Sequence, residues 1–166
     1  MKTTIVSAIL ALCLLATVAY ANGPFSITCQ PFGTGEWEYT LYNTGPAGTV
    51  PWYLDLNWID YWEEDQVPQR EFVITGSPED HEWYAFIGIG FPAWDSYGMD
   101  PAPGANAPGF RIQATDPALI FRVTYLDDIG DEHDYIGNVV VTPEPGSLIT
   151  LLSGLVGLGA ALRRRF

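Results

Sequence analysis

The sequence predicts an all-β fold, an antiparallel β-sandwich followed by a C-terminal transmembrane helix. Three observations predict it. Apolar and polar residues alternate with a period of two through much of residues 22–141, as strands with one face on a core require. Turn-forming clusters interrupt the alternation at Asn43-Thr44-Gly45-Pro46, Gly76-Ser77-Pro78, Asp116-Pro117 and around Gly130 between Asp127 and Asp131. An uncharged apolar run, Ser147 to Leu162, ends at Arg163, Arg164 and Arg165.

Residues 1–21 read as a signal peptide. Lys2 supplies the positive start, Ile5 to Ala19 is apolar and uncharged, and Ala19-Tyr20-Ala21 fits the small-x-small cleavage rule. The expected mature chain therefore starts near Asn22. A lipoprotein signal fits less well, because Leu12 before Cys13 is large and the apolar run continues past the cysteine.

The strands follow in order. Phe25, Ile27 and Cys29 alternate with Ser26 and Thr28, and Trp37, Tyr39 and Leu41 alternate with Glu38 and Thr40. Trp52, Leu54, Leu56 and Trp58 share one alternating face, which assigns both tryptophans to the core. A short strand covers Phe72 to Ile74, and Trp83, Ala85, Ile87 and Ile89 form another face. Phe110 and Ile112 flank Arg111; Leu119, Phe121, Val123 and Tyr125 alternate around Arg122 and Thr124. The last strand is Tyr135 to Val141. Pro92 to Pro108, rich in proline, is expected to be a surface loop. Between 22 and 141 no 3.6-residue period persists. About eight short strands at this spacing suit a sandwich of immunoglobulin-like size, with a small barrel as the alternative. Cys29, on the apolar side of its strand, is expected to be a buried free thiol.

At 166 residues the chain allows one domain of ordinary size, and 48% hydrophobic residues is too many for a disordered chain. Its formal charge is −13. Residues 22–142 hold nineteen of the acids against Arg70, Arg111 and Arg122. Such a surface excludes nucleic acid as a partner and favours a soluble monomeric module.

Enzyme motifs are few. His81-Glu82 begins a zinc-protease pattern, but Ala85 stands where the second histidine belongs. Gly88-Ile89-Gly90-Phe91-Pro92-Ala93 spells a dinucleotide fingerprint without the helix that must follow it. No serine sits in a Gly-x-Ser-x-Gly elbow. No cofactor is expected, and the leading expectation is a non-enzymatic protein. Glycan hydrolysis is a second alternative, with Glu63, Glu64, Glu79 and Glu82 as the available carboxyls. A carbohydrate- or calcium-binding module is the first. Asp127, Asp128, Asp131, Glu132 and Asp134 crowd one turn around Gly130, and hard oxygen ligands at this density suit Ca²⁺. Trp62 and Trp94, beside Glu63 and Asp95 in turn or loop contexts, are the candidate exposed rings for stacking on sugars.

The C-terminus has three parts in order. Pro143-Glu144-Pro145 is rigid and cannot enter a helix. The apolar run 147–162 would span roughly 24 Å as a helix, slightly short of a bilayer core; Arg163, Arg164 and Arg165 would hold its end on the cytoplasmic side. A Pro-Glu-Pro motif, a short span and an arginine end resemble the PEP-CTERM sorting signal. The resemblance covers residues 142–166. It implies an exosortase partner acting on the tail, and a Gram-negative host that exports extracellular polysaccharide. It implies a protein anchored in the inner membrane in transit and delivered to the cell surface or extracellular matrix. The Leu-Pro-x-Thr-Gly of a sortase tail is absent, and a GPI tail would end apolar.

Overall fold

The structure is a computed structural model that describes residues 23–58, 71–78, 82–88, 90–98 and 101–142. The expected signal peptide, Trp62, the Pro143-Glu144-Pro145 motif, the transmembrane run and Arg163, Arg164 and Arg165 lie outside these residues.

The described residues form nine strands: β1 Phe25–Gly33, β2 Glu36–Asn43, β3 Val50–Asn57, β4 Phe72–Gly76, β5 Trp83–Ile87, β6 Pro92–Ser96, β7 Asn106–Ala114, β8 Ile120–Leu126 and β9 Glu132–Val141. Among the described residues there is no helix. The strands make one sheet in the order β4-β7-β2-β1-β9-β8-β3-β6-β5. β9 joins its halves by changing partner. Glu132 to Asn138 pair antiparallel with β8, and Val139 to Val141 pair parallel with β1. The sheet is therefore mixed at this one pair, against the wholly antiparallel expectation.

The halves roll together over the apolar side chains that the alternation points inward. Phe25, Ile27, Tyr39, Leu41, Leu54, Leu56, Phe110, Ile112, Phe121 and Val123 are all buried there. The two outer ends of the sheet meet at a seam. Trp94 of β6 sets its indole edge-on to Phe110 of β7 at 5.3 Å, and its Nε1 donates to the Gly76 carbonyl of β4 at 3.3 Å. The all-β class holds, with two layers that are halves of one continuous sheet and an arrangement close to a barrel.

The loop expected over Pro92 to Pro108 is corrected at both ends. Residues 92–96 are strand β6, and β7 already starts at Asn106. Proline is tolerated as the first residue of a strand, where Pro92 stands. Pro108 lies where β7 pairs with β2 alone, since β4 reaches only Arg111 to Ala114. Gly109, at φ 103°, takes up the register shift beside it, a conformation that a side chain would strain. The connection before β7 is tied down by Asn43. Its buried amide donates to the carbonyls of Thr49 and Pro101, each at 2.8 Å.

Candidate functional site

The site is built on the outer face of β3, β5, β6, β8 and β9. In antiparallel pairs, residues directly opposite share a face. One row crosses all five strands: Tyr84, Asp95, Tyr53, Thr124 and Asp134. The next row is Phe86, Ala93, Asp55, Arg122 and Ile136.

A bulge adds a further ring. Pro51 pairs with Tyr125 and Tyr53 with Thr124, so Trp52 is the extra residue on β3. The bulge breaks the alternation that placed Trp52 with Leu54 and Leu56. Those leucines are in the core, as expected. Trp52 is only half-buried, and its ring lies 6.0 Å from that of its neighbour Tyr53. Tyr53 continues to Phe86 at 6.1 Å, and Tyr84 meets Tyr97 edge-on at 5.3 Å. Three of these rings are strongly solvent-facing: Tyr97 at 78%, Tyr84 at 57% and Phe86 at 39% exposure.

Tyr53 is held in place from below. Its hydroxyl donates to Asp55 Oδ2 at 3.0 Å. Arg122 donates to the same oxygen from Nε at 3.0 Å and Nη2 at 2.6 Å. The guanidinium also sits 5.5 Å from the Tyr53 ring centre. Burial, and then the Asp55 charge, push the Tyr53 phenol above its ordinary value. The ring is a fixed platform, and fixed rings lose little freedom when a ligand arrives.

Beside this row lies a depression of about 380 Å³ lined by Trp52, Asp95, Ser96, Tyr97, Leu126 and Glu132. Burial raises the Asp95 carboxyl above its ordinary value. Ser96 is buried, and its hydroxyl has no hydrogen-bond partner. The depression thus offers aromatic walls with acceptor groups between them.

Trp94 is corrected. It is fully buried at the seam and presents no face to a sugar. Its loop context in the sequence hid a strand whose alternation points it inward. Trp58, expected in the core, packs at its margin against Phe72 and donates from Nε1 to Asp116 at 2.9 Å.

The acids expected to hold calcium, Asp127, Asp128, Asp131 and Asp134, lie at or beside the β8–β9 turn. Among the described residues no group of three or more acidic, histidine or cysteine side chains is placed to hold a metal. Asp127 serves the turn itself. Asp127 Oδ1 accepts the Ile129 and Asp131 amides at 3.1 and 2.9 Å, and Oδ2 meets His133 Nε2 at 2.9 Å. Those contacts, His133 foremost, hold the Asp127 carboxyl below its ordinary value. Asp134 accepts the Thr124 hydroxyl at 2.6 Å, and Asp128 and Asp131 are exposed.

Of the carboxyls available for hydrolysis, Glu63, Glu64 and Glu79 lie outside the described residues, as does His81. Glu82 is exposed at the start of β5. Of the glycine motif, Gly88, Gly90 and Phe91 lie between β5 and β6, where Gly88 N–H donates to the Phe91 carbonyl at 2.9 Å, and Pro92 and Ala93 begin β6. Sequence reasoning missed Tyr53, Tyr84, Phe86 and Tyr97 as site residues. One signal was present: Trp83-Tyr84-Ala85-Phe86-Ile87 is apolar on both faces, and a strand can bury only one of them in its own core when it ends a sheet.

No protein-family model matches the sequence, and no curated protein does. Among solved structures, the chain is similar to a GH20 exo-β-N-acetylglucosaminidase from Vibrio harveyi. Two of its crystal structures match at 13% and 9% identity with TM-scores of 0.44 and 0.45, over 73% of this chain. This chain spans 18% of that enzyme's length. It is also similar to ChBD3 from Thermococcus kodakarensis KOD1, at 16% identity and a TM-score of 0.42, over 63% of this chain and 87% of that one. Similarities this slight say nothing about the site, which rests on its own geometry.

Proposed function

We propose that the chain is an exported, non-enzymatic protein whose sandwich-like domain binds glycan through the outer aromatic face. The exposed rings of Tyr84, Phe86 and Tyr97, continued by Tyr53 and Trp52, carry this reading. Soluble domains rarely leave so many large rings on one face without a ligand for them. Sugar rings present C–H faces that pack on aromatic planes, while their hydroxyls need acceptors such as Asp95 and Glu132. Affinity electrophoresis of the purified full chain in polysaccharide gels tests it. Retardation is expected, and is expected to vanish in the Trp52→Ala/Tyr97→Ala double variant. Equal retardation of the variant and the parent would overturn the assignment.

The proposed route outward is the one the C-terminal resemblance implies. The tail at 142–166 holds the protein in the inner membrane until an exosortase acts near Pro143-Glu144-Pro145. The domain is then left at the cell surface or in its polysaccharide matrix. The intact mass of the extracellular form checks both ends together. A mass that retains residues 147–166 would contradict processing of the tail.

A further inference from the structure

We infer that the Trp52–Tyr97 depression selects a glycan carrying free protonated amines, an amino sugar without its acetyl group. The inference rests on the glycan-binding reading and names the ligand class of that same site.

The first observation is uncompensated charge. The depression carries two carboxylates, Asp95 and Glu132. Both arginines among the described residues are engaged elsewhere, Arg111 with Glu38 at 2.8 Å and Arg122 with Asp55 at 2.6 Å. Among the described residues neither Asp95 nor Glu132 has an ion-pair partner. Asp134 faces outward in the row beside Glu132's strand position and accepts only a neutral hydroxyl, from Thr124. An anionic glycan entering here would meet repulsion from both carboxylates.

The second observation is the walls. Trp52 and Tyr97 flank the carboxylates, and an ammonium is attracted both to the face of an aromatic ring and to a carboxylate. A neutral hexose gains only the ring contact and ordinary hydrogen bonds. Burial has already stripped water from Asp95 in part, so less solvent remains to be displaced when a cation arrives.

The test compares two ligands with one backbone. The purified full chain is titrated calorimetrically with a β-1,4-linked glucosamine tetramer and with its fully N-acetylated counterpart. The free-amine form is expected to bind at least about tenfold more tightly. That preference is expected to disappear in Asp95→Asn/Glu132→Gln. It is expected to persist in Glu36→Gln/Glu71→Gln, which removes the same charge from the other half of the sheet. Trp52→Ala/Tyr97→Ala is expected to weaken both ligands. Equal binding of the two tetramers would overturn the amine inference and leave the glycan reading standing. So would a preference that survives Asp95→Asn/Glu132→Gln, because attraction to the acidic surface as a whole would then explain it. Failure to bind either tetramer or any neutral glucan would overturn both readings.

Discussion

The Ala118 amide donates to the Tyr39 hydroxyl at 2.7 Å inside the core, joining β2 to the segment before β8. Both residues are fully buried. Burial, before any other cause, holds the phenol far above its ordinary value, so it stays neutral. Tyr39→Phe keeps the ring and leaves a buried N–H without its acceptor. It is expected to lower unfolding stability by about 1–3 kcal/mol. Urea denaturation followed by tryptophan fluorescence measures this; a midpoint shift within error would mean that the contact carries no load.

Arg122 holds a carboxylate that has no solvent exposure. Arg122→Met leaves the Asp55 charge without its guanidinium and is expected to cost about 3 kcal/mol. The Asp55→Asn/Arg122→Met pair is expected to cost less than the single change, since no buried charge remains to be stabilised. A double-mutant cycle in urea reads the difference. Additive losses would show that the two groups act independently.

Trp94 and Trp52 are expected to behave oppositely. Trp94→Ala removes a fully buried indole and is expected to cost about 3–5 kcal/mol. Trp52→Ala, at a half-buried bulge position, is expected to cost under about 1 kcal/mol while weakening glycan binding. Thermal melts and gel retardation on the same two variants separate the roles. Equal destabilisation would place Trp52 in the core after all.

Cys29 makes stability fall in alkali. Burial pushes its thiol from an ordinary 9.0 to about 12, opposed in part by its hydrogen bond with Tyr39. Below pH 9 the thiol is protonated folded or unfolded, and its contribution is constant. Between pH 9 and 12 the unfolded chain loses that proton while the folded chain keeps it. Rising pH therefore favours unfolding. The urea midpoint is expected to drop from pH 9 to 11, less steeply in Cys29→Ala. Parallel curves for the two proteins would assign the drop to other groups, Tyr39 first among them.

Asp127 acts at the other end of the scale. Its contacts to His133 and to the Asp131 and Ile129 amides depress its carboxyl below the ordinary 3.8. The stability it contributes is present above that ordinary value and is lost as pH falls through the lower, folded one. The urea midpoint is expected to fall below about pH 4, with a shallower slope in Asp127→Asn. Melts with calcium and with chelator are expected to superimpose, because both oxygens of the Asp127 carboxylate already have partners in the chain. A calcium-dependent midpoint would restore the turn as a metal site.

Much of the core was legible because alternation fixes a side chain's face wherever a strand runs without interruption. Phe25, Ile27, Tyr39, Leu41, Leu54, Leu56, Phe121 and Val123 are buried where their period places them. The same logic misplaced Trp52, because one extra residue on β3 shifts the phase. A bulge depends on the partner strand and leaves no local mark. It also misjudged Trp94, because proline and glycine around a five-residue strand look like a loop until the neighbours that pair with it are known.

The residues themselves determined the all-β class, the inward identity of most strands, the buried thiol at Cys29 and the acidic character of the surface. These follow from period, composition and charge, which are properties of the chain taken in order. The tertiary structure alone decided that β9 joins two halves into one rolled sheet, and that Trp52, Tyr53, Tyr84, Phe86 and Tyr97 gather on one outer face. Those rings come from β3, from β5 and from the end of β6. Only pairing register brings them together, and register is set by hydrogen bonds between strands that no single segment specifies.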